Sequence, residues 1–261
     1  MKIDKELLCS QIPNKLIICD EVDSTNNVAK ELCKSGESEG TIIVANTQTG
    51  GKGRQGRSFY SSSENGLYFS IILRPKIKPE DCTLITTLAS VAVSCAIENT
   101  TNKNPSIKWV NDIILNDKKI CGILTEAGFE SSGDKLDYVI LGIGINIAPP
   151  NDGFPKELEN IAGAIFDGVI PKGFCESLLA SIVRTFFKYY YTLDKKEYMS
   201  EYTKKSNIIG KDVDVYIGNV VISGIATDID ENAHLIVKDK NGNFHSFGSG
   251  EARVRKSGDK I

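Results

Sequence analysis

A glycine-rich segment, GGKGRQGRSF at residues 50–59, carries three positive charges within six residues. The cations Lys52, Arg54 and Arg57 alternate with the glycines Gly51, Gly53 and Gly56. Glycines let a backbone turn closely around a ligand with its amides pointing inward, and interleaved cations suit a phosphate or a carboxylate. The alternative is an exposed turn with solvated charges. The pattern favours an anion-binding loop.

The sequence around this loop excludes three common nucleotide-binding motifs. The glycines match G-x-G-x-x-G, but residues 66–73 (GLYFSIIL) are predicted as a strand, whereas a dinucleotide-binding turn leads into a helix. The HRD and DFG signatures of protein kinases are absent from the sequence, as is G-x-x-x-x-G-K-[ST]. We therefore expect the loop to bind an anion within another architecture.

The elements flanking the loop alternate between helical and extended patterns. A helix is predicted from Asp23 or Ser24, as its cap, to Gly36, and another runs from Pro79 to Glu98. Strands are predicted at 41–48, 66–73, 107–115, 119–129 and 138–147. The short turns at 116–118 and 131–134 join neighbouring antiparallel strands. The pattern therefore predicts a largely antiparallel sheet with helices.

The second half of the chain changes character twice. Residues 148–155 are predicted as a loop, and residues 172–205 are helical in pattern. Their aromatic residues are predicted to be core: Phe186, Phe187, Tyr189, Tyr190 and Tyr191. From Ile209 to Lys256 short strands and tight turns follow, including Asn241-Gly242. We predict a large domain at 1–206 and a small β-barrel domain at 207–261.

The charge, apolar segments and cysteine and histidine positions argue against several classes of protein. The net charge of −3 argues against a surface built for nucleic acid or anionic membrane. The N-terminus has no long apolar core, and no stretch is expected to reach the apolar length of a membrane span. The seven cysteines form no CxxC pair, which indicates buried thiols in a reducing cytosol. The histidines, His234 and His245, lie in the predicted small domain, so no Cys–His pair is expected.

Six motifs in order and spacing resemble those of the biotin protein ligases. They are Ser24-Thr25-Asn26, Gln48, residues 51–57, residues 108–112, Lys119 with residues 122–126, and residues 142–146. The resemblance covers roughly Val22 to Ile147, and residues 209–256 are similar to the family's C-terminal domain. It implies an α/β (α+β) fold, akin to class II aminoacyl-tRNA synthetase catalytic domains with a mixed, largely antiparallel sheet, plus a small SH3-like barrel.

The resemblance also implies a two-step reaction. The carboxylate of biotin attacks the α-phosphate of Mg-ATP, giving biotinyl-5′-AMP and pyrophosphate, and a lysine of a biotin carboxyl carrier protein then displaces AMP. The usual carrier belongs to acetyl-CoA carboxylase. Biotin and ATP are therefore expected as substrates with Mg²⁺, and no protein metal site is predicted.

Residue roles are carried over from the family's motifs. The expected biotin-binding residues are Ser24, Thr25, Asn26, Gln48, Lys52, Gly53, Arg54, Lys119 and Gly122. The expected ATP-binding residues are Gly51, Lys52, Arg54, Arg57, Phe59, Asn111, Lys119 and Asn146. Lys119, Arg54 and Asp112 are the expected catalytic residues, with Lys119 beside the reacting carboxylate and α-phosphate. Asp112 is expected to orient or deprotonate the carrier lysine.

Several of these residues also have ordinary structural roles. Ser24 suits an N-cap, Asp112 suits a strand bend, and Gly122, Leu124, Ile143 and Ile145, expected to wall the valeryl chain, suit sheet core. Glu251 and Arg255 are expected to reach the ligand from the small domain. The chain departs from the common family pattern at Lys52, Val110 and Phe59, none of which removes a charge or hydrogen-bonding group that the chemistry needs.

Alternative functions are a lipoate or octanoate ligase of the same fold and a non-catalytic biotin-binding protein. About twenty residues precede the first motif, too few for the N-terminal DNA-binding module of some family members, so we expect a monofunctional ligase without sequence-specific DNA binding. A cytoplasmic location without membrane attachment is expected. The family includes monomers and dimers formed through the central sheet, and we favour a homodimer.

Overall fold

Seven strands between Leu16 and Asn146 form one mixed sheet in the computed structural model, which describes residues 2–61, 65–131 and 133–255. They are β1 (Leu16–Val22), β2 (Ile42–Gln48), β3 (Gly66–Leu73), β4 (Ser106–Lys108), β5 (Asp112–Leu115), β6 (Lys118–Phe129) and β7 (Leu136–Asn146). Their spatial order is β1-β2-β3-β7-β6-β5-β4. β1 and β2 run parallel, and the other described neighbours are antiparallel. The predicted largely antiparallel sheet is confirmed.

The prediction of a single strand at 107–115 is wrong, and the difference matters for the site. It is two antiparallel strands, β4 and β5, joined by a tight turn at residues 109–111 with Lys108 opposite Asp112. The Trp109–Val110 peptide bond in this turn is cis, and the hydroxyl of Tyr202 donates to the Val110 carbonyl at 3.1 Å. The reversal brings the two ends of the turn side by side at the sheet edge.

Helices cover both faces of the large sheet. They are α1 (Lys5–Gln11), α2 (Thr25–Lys34), α3 (Cys82–Thr101), α4 (Phe174–Tyr190) and α5 (Met199–Lys205). On one face α2 packs on β2, β3 and β7, and on the other α3 packs on β6 with α4 behind it. Adjacent strand residues such as Ile71 and Ile72 therefore lie in different clusters and are both fully buried. Because both faces of these strands are buried, consecutive residues along their sequences are apolar.

The 23-residue segment Pro79–Thr101 is long and apolar enough to cross a membrane, because its most apolar 18-residue window has a mean hydropathy of 1.4. The expectation that no stretch reaches that length was therefore wrong. Within the described residues this is the one such helix, and 72% of its apolar window is buried inside the protein. Its apolar character is that of a core helix, all of whose sides meet protein.

The helical stretch predicted at 172–205 is interrupted. It consists of α4, a short 3-10 turn at Leu193–Lys195, and α5. Phe186, Phe187 and Tyr190 are buried as predicted, whereas Tyr191 is largely exposed. The elements α1 and β1 were not predicted, since α1 has only seven residues and β1 carries an apolar run of only four, Leu16 to Cys19. Cys33, Cys121 and Cys175 are buried, but Cys9 is exposed, contrary to expectation.

The C-terminal residues form a second, smaller sheet. Its strands are β8 (Asp212–Ile217), β9 (Val220–Ile229), β10 (Leu235–Lys238), β11 (Phe244–Phe247) and β12 (Glu251–Val254), in the order β11-β10-β9-β8-β12. All described pairs are antiparallel. This agrees with the predicted small β domain; the SH3-like topology and the boundary at residue 206 stay predictions.

Trp109 links the two sheets. Its indole nitrogen donates a buried hydrogen bond of 3.0 Å to the carbonyl of Ala233, in the turn between β9 and β10. The backbone amide of Asn207 also donates to the Ile107 carbonyl at 2.9 Å. The turn at 109–111 is therefore held by α5 on one side and by the small sheet on the other.

We expect Trp109→Phe to lower the free energy of unfolding by about 2 to 4 kcal/mol. A buried carbonyl left without a donor costs about 1 to 3 kcal/mol, and the smaller ring leaves a gap. Chemical denaturation followed by circular dichroism measures the change. Tyr191→Phe, at an exposed ring, is the control and should change the free energy of unfolding by less than about 0.5 kcal/mol. An unchanged stability for Trp109→Phe would contradict this account.

Candidate active site

A cleft opens between the N-terminus of α2, the glycine-rich loop, the middle of the large sheet and the turn before β12. It brings together most of the predicted site residues: Ser24, Thr25, Asn26, Gln48, Lys52, Gly53, Arg54, Arg57, Phe59, Asn111, Asp112, Lys119 and Gly122. Gly51 and Asn146 are not among its described lining residues. Residues as far apart in sequence as Ser24 and Ala252 thus line one cleft.

One end of the cleft is polar and buried. Because Val22 lies opposite Gln48 in the parallel β1–β2 pair, the start of α2 comes within reach of the Gln48 side chain. The amide and hydroxyl of Thr25 donate to Gln48 Oε1 at 2.8 and 3.1 Å. Ser24 occupies the N-cap position predicted for it, but its side chain makes no capping hydrogen bond. Its hydroxyl is therefore not used in holding the helix.

Asn26 lies flat on the sheet because Gly142 has no side chain. A Cβ at Gly142 would come within 2.1 Å of Asn26 Oδ1, far inside contact distance. The Nδ2 of Asn26 donates to the carboxylate of Glu126 at 2.7 Å, and Lys30 pairs with the same carboxylate at 2.5 Å. The amide of Asn26 therefore has one orientation.

The glycine-rich loop is a tight hairpin. The amide of Gly53 donates to Arg57 O at 2.7 Å, and the amide of Phe59 donates to Gly51 O at 2.9 Å. Gln55 and Gly56 at the tip have positive φ values of 56° and 74°. A Cβ at Gly51 would lie 2.5 Å from the Phe59 carbonyl. Gly51 therefore shapes the loop instead of lining the cleft.

Each cation of the loop has a protein partner. Lys52 donates to the side-chain oxygen of Asn27. Arg54 reaches Asn111 Oδ1 at 3.1 Å and Gly250 O at 3.4 Å, and burial lowers the pKa of its guanidinium. Arg57 pairs with Glu251 at 2.6 Å. The loop thus contacts both the large and the small sheet.

Lys119 and Asp112 form an ion pair of 2.6 Å in the cleft, with 32% and 22% of their side chains exposed. Asp112 begins β5 directly after the tight turn and lies opposite Gly122. Lys119 follows the Asn116-Asp117 turn, whose positive φ values of 51° and 60° suit a two-residue hairpin. Two of the three predicted catalytic residues, Lys119 and Asp112, therefore meet across one hairpin.

Phe59 closes over bare backbone in the sheet. A Cβ at Gly144 would lie 2.7 Å from its ring and one at Gly122 3.2 Å away. Asn146, predicted to contact the nucleotide, instead donates its side-chain amide to Gly163 O at 2.9 Å. Its position in β7 places it beyond the cleft, where it holds the loop that follows the strand.

Several lining residues were not predicted as site residues: Gln55, Ser58, Lys108, Trp109, Ile123, Gly142, Gly144, Gly250 and Ala252. Most lie within or beside the quoted motifs, which could have identified them. Leu124 and Ile143 line the cleft as expected, whereas Ile145 belongs to the core. Glu251 lines the cleft, but Arg255 pairs with Asp212 and Asp214 on the small sheet.

The cleft concentrates positive charge in an acidic protein. Five lining residues are cationic and two are carboxylates, an excess of three positive charges, whereas the whole chain carries −3. The cations are Lys52, Arg54, Arg57, Lys108 and Lys119. Together with the buried polar end, this arrangement can hold a polar neutral group at one end and a polyanion at the other.

The Arg57–Glu251 pair persists over a wide pH range. Burial acts to raise the pKa of Glu251, but hydrogen bonds from Arg57 and Arg253 lower it to about 2. A carboxyl with a lowered folded pKa stabilises the contact fully above its ordinary value of 4.5 and loses that effect as the pH falls toward 2. The attachment of the loop is therefore insensitive to pH near neutrality.

We expect Glu251→Gln to make trypsin cleave after Arg54 and Arg57 about two to five times faster. An ion pair with one exposed partner contributes about 0.5 to 1 kcal/mol to holding such a loop. Timed digestion followed by mass spectrometry measures the rate. Glu231→Gln, at an exposed carboxylate, should cleave at the wild-type rate. Equal rates for all three proteins would show that the pair does not hold the loop.

Comparison with known proteins gives one consistent result. The sequence model of the Biotin/lipoate A/B protein ligase family matches residues 18–146. The Bifunctional ligase/repressor BirA of Bacillus spizizenii is 34% identical over 235 residues, which are 87% of this chain and 70% of that protein. The Biotin--[acetyl-CoA-carboxylase] ligase of Paracoccus denitrificans is 32% identical over 151 residues, covering 57% of this chain and 58% of that protein.

A solved structure extends the likeness to the fold. The biotin protein ligase of Aquifex aeolicus in complex with biotin and ATP superimposes with a TM-score of 0.74 at 30% identity, covering 93% of this chain and 99% of that one. The chain therefore belongs to the biotin protein ligase family.

Proposed function

We propose that this protein activates biotin with ATP as biotinyl-5′-AMP and transfers the biotinyl group to a lysine of a biotin carboxyl carrier protein. One observation carries the proposal. A buried polar pocket and a cluster of five cations share one cleft, and the Lys119–Asp112 pair lies within it. Biotin binding alone would need no cation cluster. The relatives and the Aquifex structure agree with this reaction in name and in bound ligands.

The polar end suits the ureido ring of biotin. Ser24, Thr25 and Gln48 present hydroxyl and amide groups in a buried site. A ureido ring offers two N–H donors and one carbonyl acceptor. Leu124 and Ile143 line the adjacent wall, where an apolar valeryl chain would lie. A buried polar pocket of this kind discriminates strongly against analogues that leave its groups unpaired.

The first step requires two anions to meet. A carboxylate oxygen of biotin attacks the α-phosphorus of ATP, the bond to the β-phosphate oxygen breaks, and pyrophosphate leaves. Lys119 neutralises the approaching carboxylate and α-phosphate, and Arg54, Arg57 and Lys52 neutralise the remaining phosphates. Lys119 is already desolvated in part and held by Asp112. Little reorganisation is then needed when the substrates bind.

The second step requires a neutral amine. The carrier lysine attacks the carbonyl of the mixed anhydride, AMP leaves, and the amine loses a proton. Asp112 is the carboxylate beside Lys119 in the cleft, so we propose that it orients the incoming amine and accepts that proton. Asn111, which binds Arg54 and the Ile123 carbonyl, keeps the turn before Asp112 in place.

Magnesium enters this proposal with the nucleotide. Within residues 2–61, 65–131 and 133–255, no group of three or more His, Cys, Asp or Glu side chains could hold a metal ion. The two lining carboxylates, Asp112 and Glu251, are already paired with cations. Mg²⁺ is commonly held by substrate phosphates with few protein ligands. We therefore propose that the ion arrives on the phosphates of ATP, where it neutralises charge and orients them.

Features outside the cleft complete the proposal. We propose a cytoplasmic ligase without sequence-specific DNA binding, which the net charge of −3 supports. We also propose the domains 1–206 and 207–261, supported by the separate small sheet that begins at Asp212. A homodimer through the large sheet is supported by its edge strand β1, whose outer side is unpaired in the described chain.

Lys119→Ala should reduce biotin-dependent pyrophosphate release by about a hundredfold to a thousandfold. Removal of one preorganised cation from a reacting anion costs that much in comparable sites. The assay compares release with biotin, with lipoate and with neither, with and without a carrier domain. Lys118→Ala, an exposed neighbour whose Nζ donates to Glu159 O, is the matched control and should be unaffected. Release with lipoate but not biotin would assign the chain to lipoate ligation instead.

Asp112→Asn should slow carrier labelling more than it slows pyrophosphate release. The amide keeps the shape of the carboxylate but does not accept the proton of the lysine amine, so the second step is affected about ten to a hundred times more than the first. Single-turnover transfer from preformed biotinyl-5′-AMP to the carrier, compared with the first-step rate, separates the two. Equal slowing of both steps would indicate that Asp112 acts only through Lys119.

A further inference from the structure

A serine lies in the most apolar strand of the large sheet. Ser70 in β3 is fully buried, as are its neighbours Phe69 and Ile71. A hydroxyl buried without a partner costs about 1 to 3 kcal/mol, and the strand ladder uses only backbone groups. Such a position is ordinarily filled by an apolar residue, so the hydroxyl needs a specific partner.

The partners of Ser70 are two residues of the cleft. Its Oγ donates toward Asn26 Oδ1 at 2.6 Å and toward Thr25 Oγ1 at 2.7 Å. Ser70 is not itself among the described lining residues. It lies directly behind the polar end, between the sheet and the start of α2. Its effect on a ligand must therefore pass through Asn26 and Thr25.

Glu126 fixes the direction of these hydrogen bonds. Burial acts to raise its pKa, but hydrogen bonds from Lys30 and Asn26 lower it, so the group is a carboxylate and only accepts. Asn26 must therefore turn its Nδ2 toward Glu126 and its Oδ1 toward Ser70. Ser70 has a single hydroxyl hydrogen, which it shares as a donor between Asn26 Oδ1 and Thr25 Oγ1 in a three-centre hydrogen bond.

The consequence reaches Thr25. Ser70 donates toward its hydroxyl oxygen, so the proton of Thr25 is directed at Gln48 Oε1. Gln48 Oε1 also accepts from the Thr25 amide. The Thr25 hydroxyl therefore meets the cleft with a lone pair. Gln48 Nε2 donates one hydrogen to Ser61 Oγ at 3.2 Å, and its second hydrogen is available to a ligand. An acceptor beside a donor complements one N–H and the carbonyl of a cyclic urea.

We propose that Ser70 and Glu126 are positioning residues for ureido recognition, which orient the hydrogen bonds of the pocket without touching biotin or ATP. The inference rests on the proposed function, because it assigns the polar end of the same cleft to the ureido ring. In this arrangement Thr25 accepts a hydrogen bond from a ureido N–H only while Ser70 keeps the donor and acceptor directions of these hydrogen bonds fixed. Loss of either residue lets the pocket present the wrong polarity.

The test is the kinetics and binding of Ser70→Ala. We expect the KM for biotin to rise about tenfold, with kcat and the KM for ATP unchanged. The Ki of desthiobiotin, which keeps the ureido ring, should rise by the same factor. The Ki of octanoate, which has a carboxylate and chain but no ureido ring, should stay the same. A general loosening of the fold would weaken all three ligands.

Two further variants sharpen the result. Ser94→Ala removes another buried serine hydroxyl, which is directed at the Pro105 carbonyl away from the cleft, and should leave every ligand constant unchanged. Glu126→Gln, at a partly exposed position, lets Asn26 turn over and should raise the KM for biotin several-fold. It therefore tests the same idea if Ser70→Ala fails to fold.

The outcomes separate this inference from the proposed function. The inference would be overturned if Ser70→Ala and Glu126→Gln both kept the wild-type KM for biotin. It would also be overturned if the Ki of octanoate rose by the same factor as the KM for biotin. Titration calorimetry of biotin covers the remaining case. A wild-type chain that binds biotin but releases no pyrophosphate would refute the ligase reaction while still testing Ser70, and a chain that binds no biotin would refute both.

Discussion

The cleft exists because side chains are missing from the middle of the large sheet. Gly122 and Gly144 lie opposite each other on β6 and β7, and Gly142 follows two residues away on the same face. A Cβ at Gly142 or Gly144 would collide with Asn26 or Phe59. Bare backbone at these points lets both side chains lie on the sheet, so the pocket floor is formed by the strands themselves. The remainder of the site is arranged around this floor.

The two ends of the cleft are supported in different ways. The polar end is held from behind by the core, since Ser70 belongs to a strand buried on both faces. The cationic end is held from outside, since Arg54 and Arg57 depend on Asn111 and on the turn before β12. The proposed ureido site is thus backed by the core, whereas the proposed phosphate site is formed by a loop that depends on contacts with Asn111, Gly250 and Glu251. The small sheet is therefore part of the site and not an appendage.

The sequence allowed the glycine-rich loop, most strands that carry the motifs and most cleft-lining residues to be predicted, because short motifs keep their local geometry. It did not reveal the turn at 109–111, since residues 107–115 read equally well as one apolar strand. The sequence could not show that the Asn146 side chain is bonded outside the cleft, because its direction in β7 depends on register and on the loop at Gly163. The Arg57–Glu251 contact joins residues 194 apart, and no local pattern reports such a pairing.

Trp109 gives the protein a built-in optical reporter. It is the one tryptophan in the sequence, it borders the cleft, and its indole N–H is bonded to a carbonyl of the small sheet. Indole emission shifts with the polarity and hydrogen bonding around the ring. Ligand binding in the cleft and movement of the small sheet would therefore each shift the emission wavelength of Trp109. Both events can then be followed by fluorescence in the unlabelled protein.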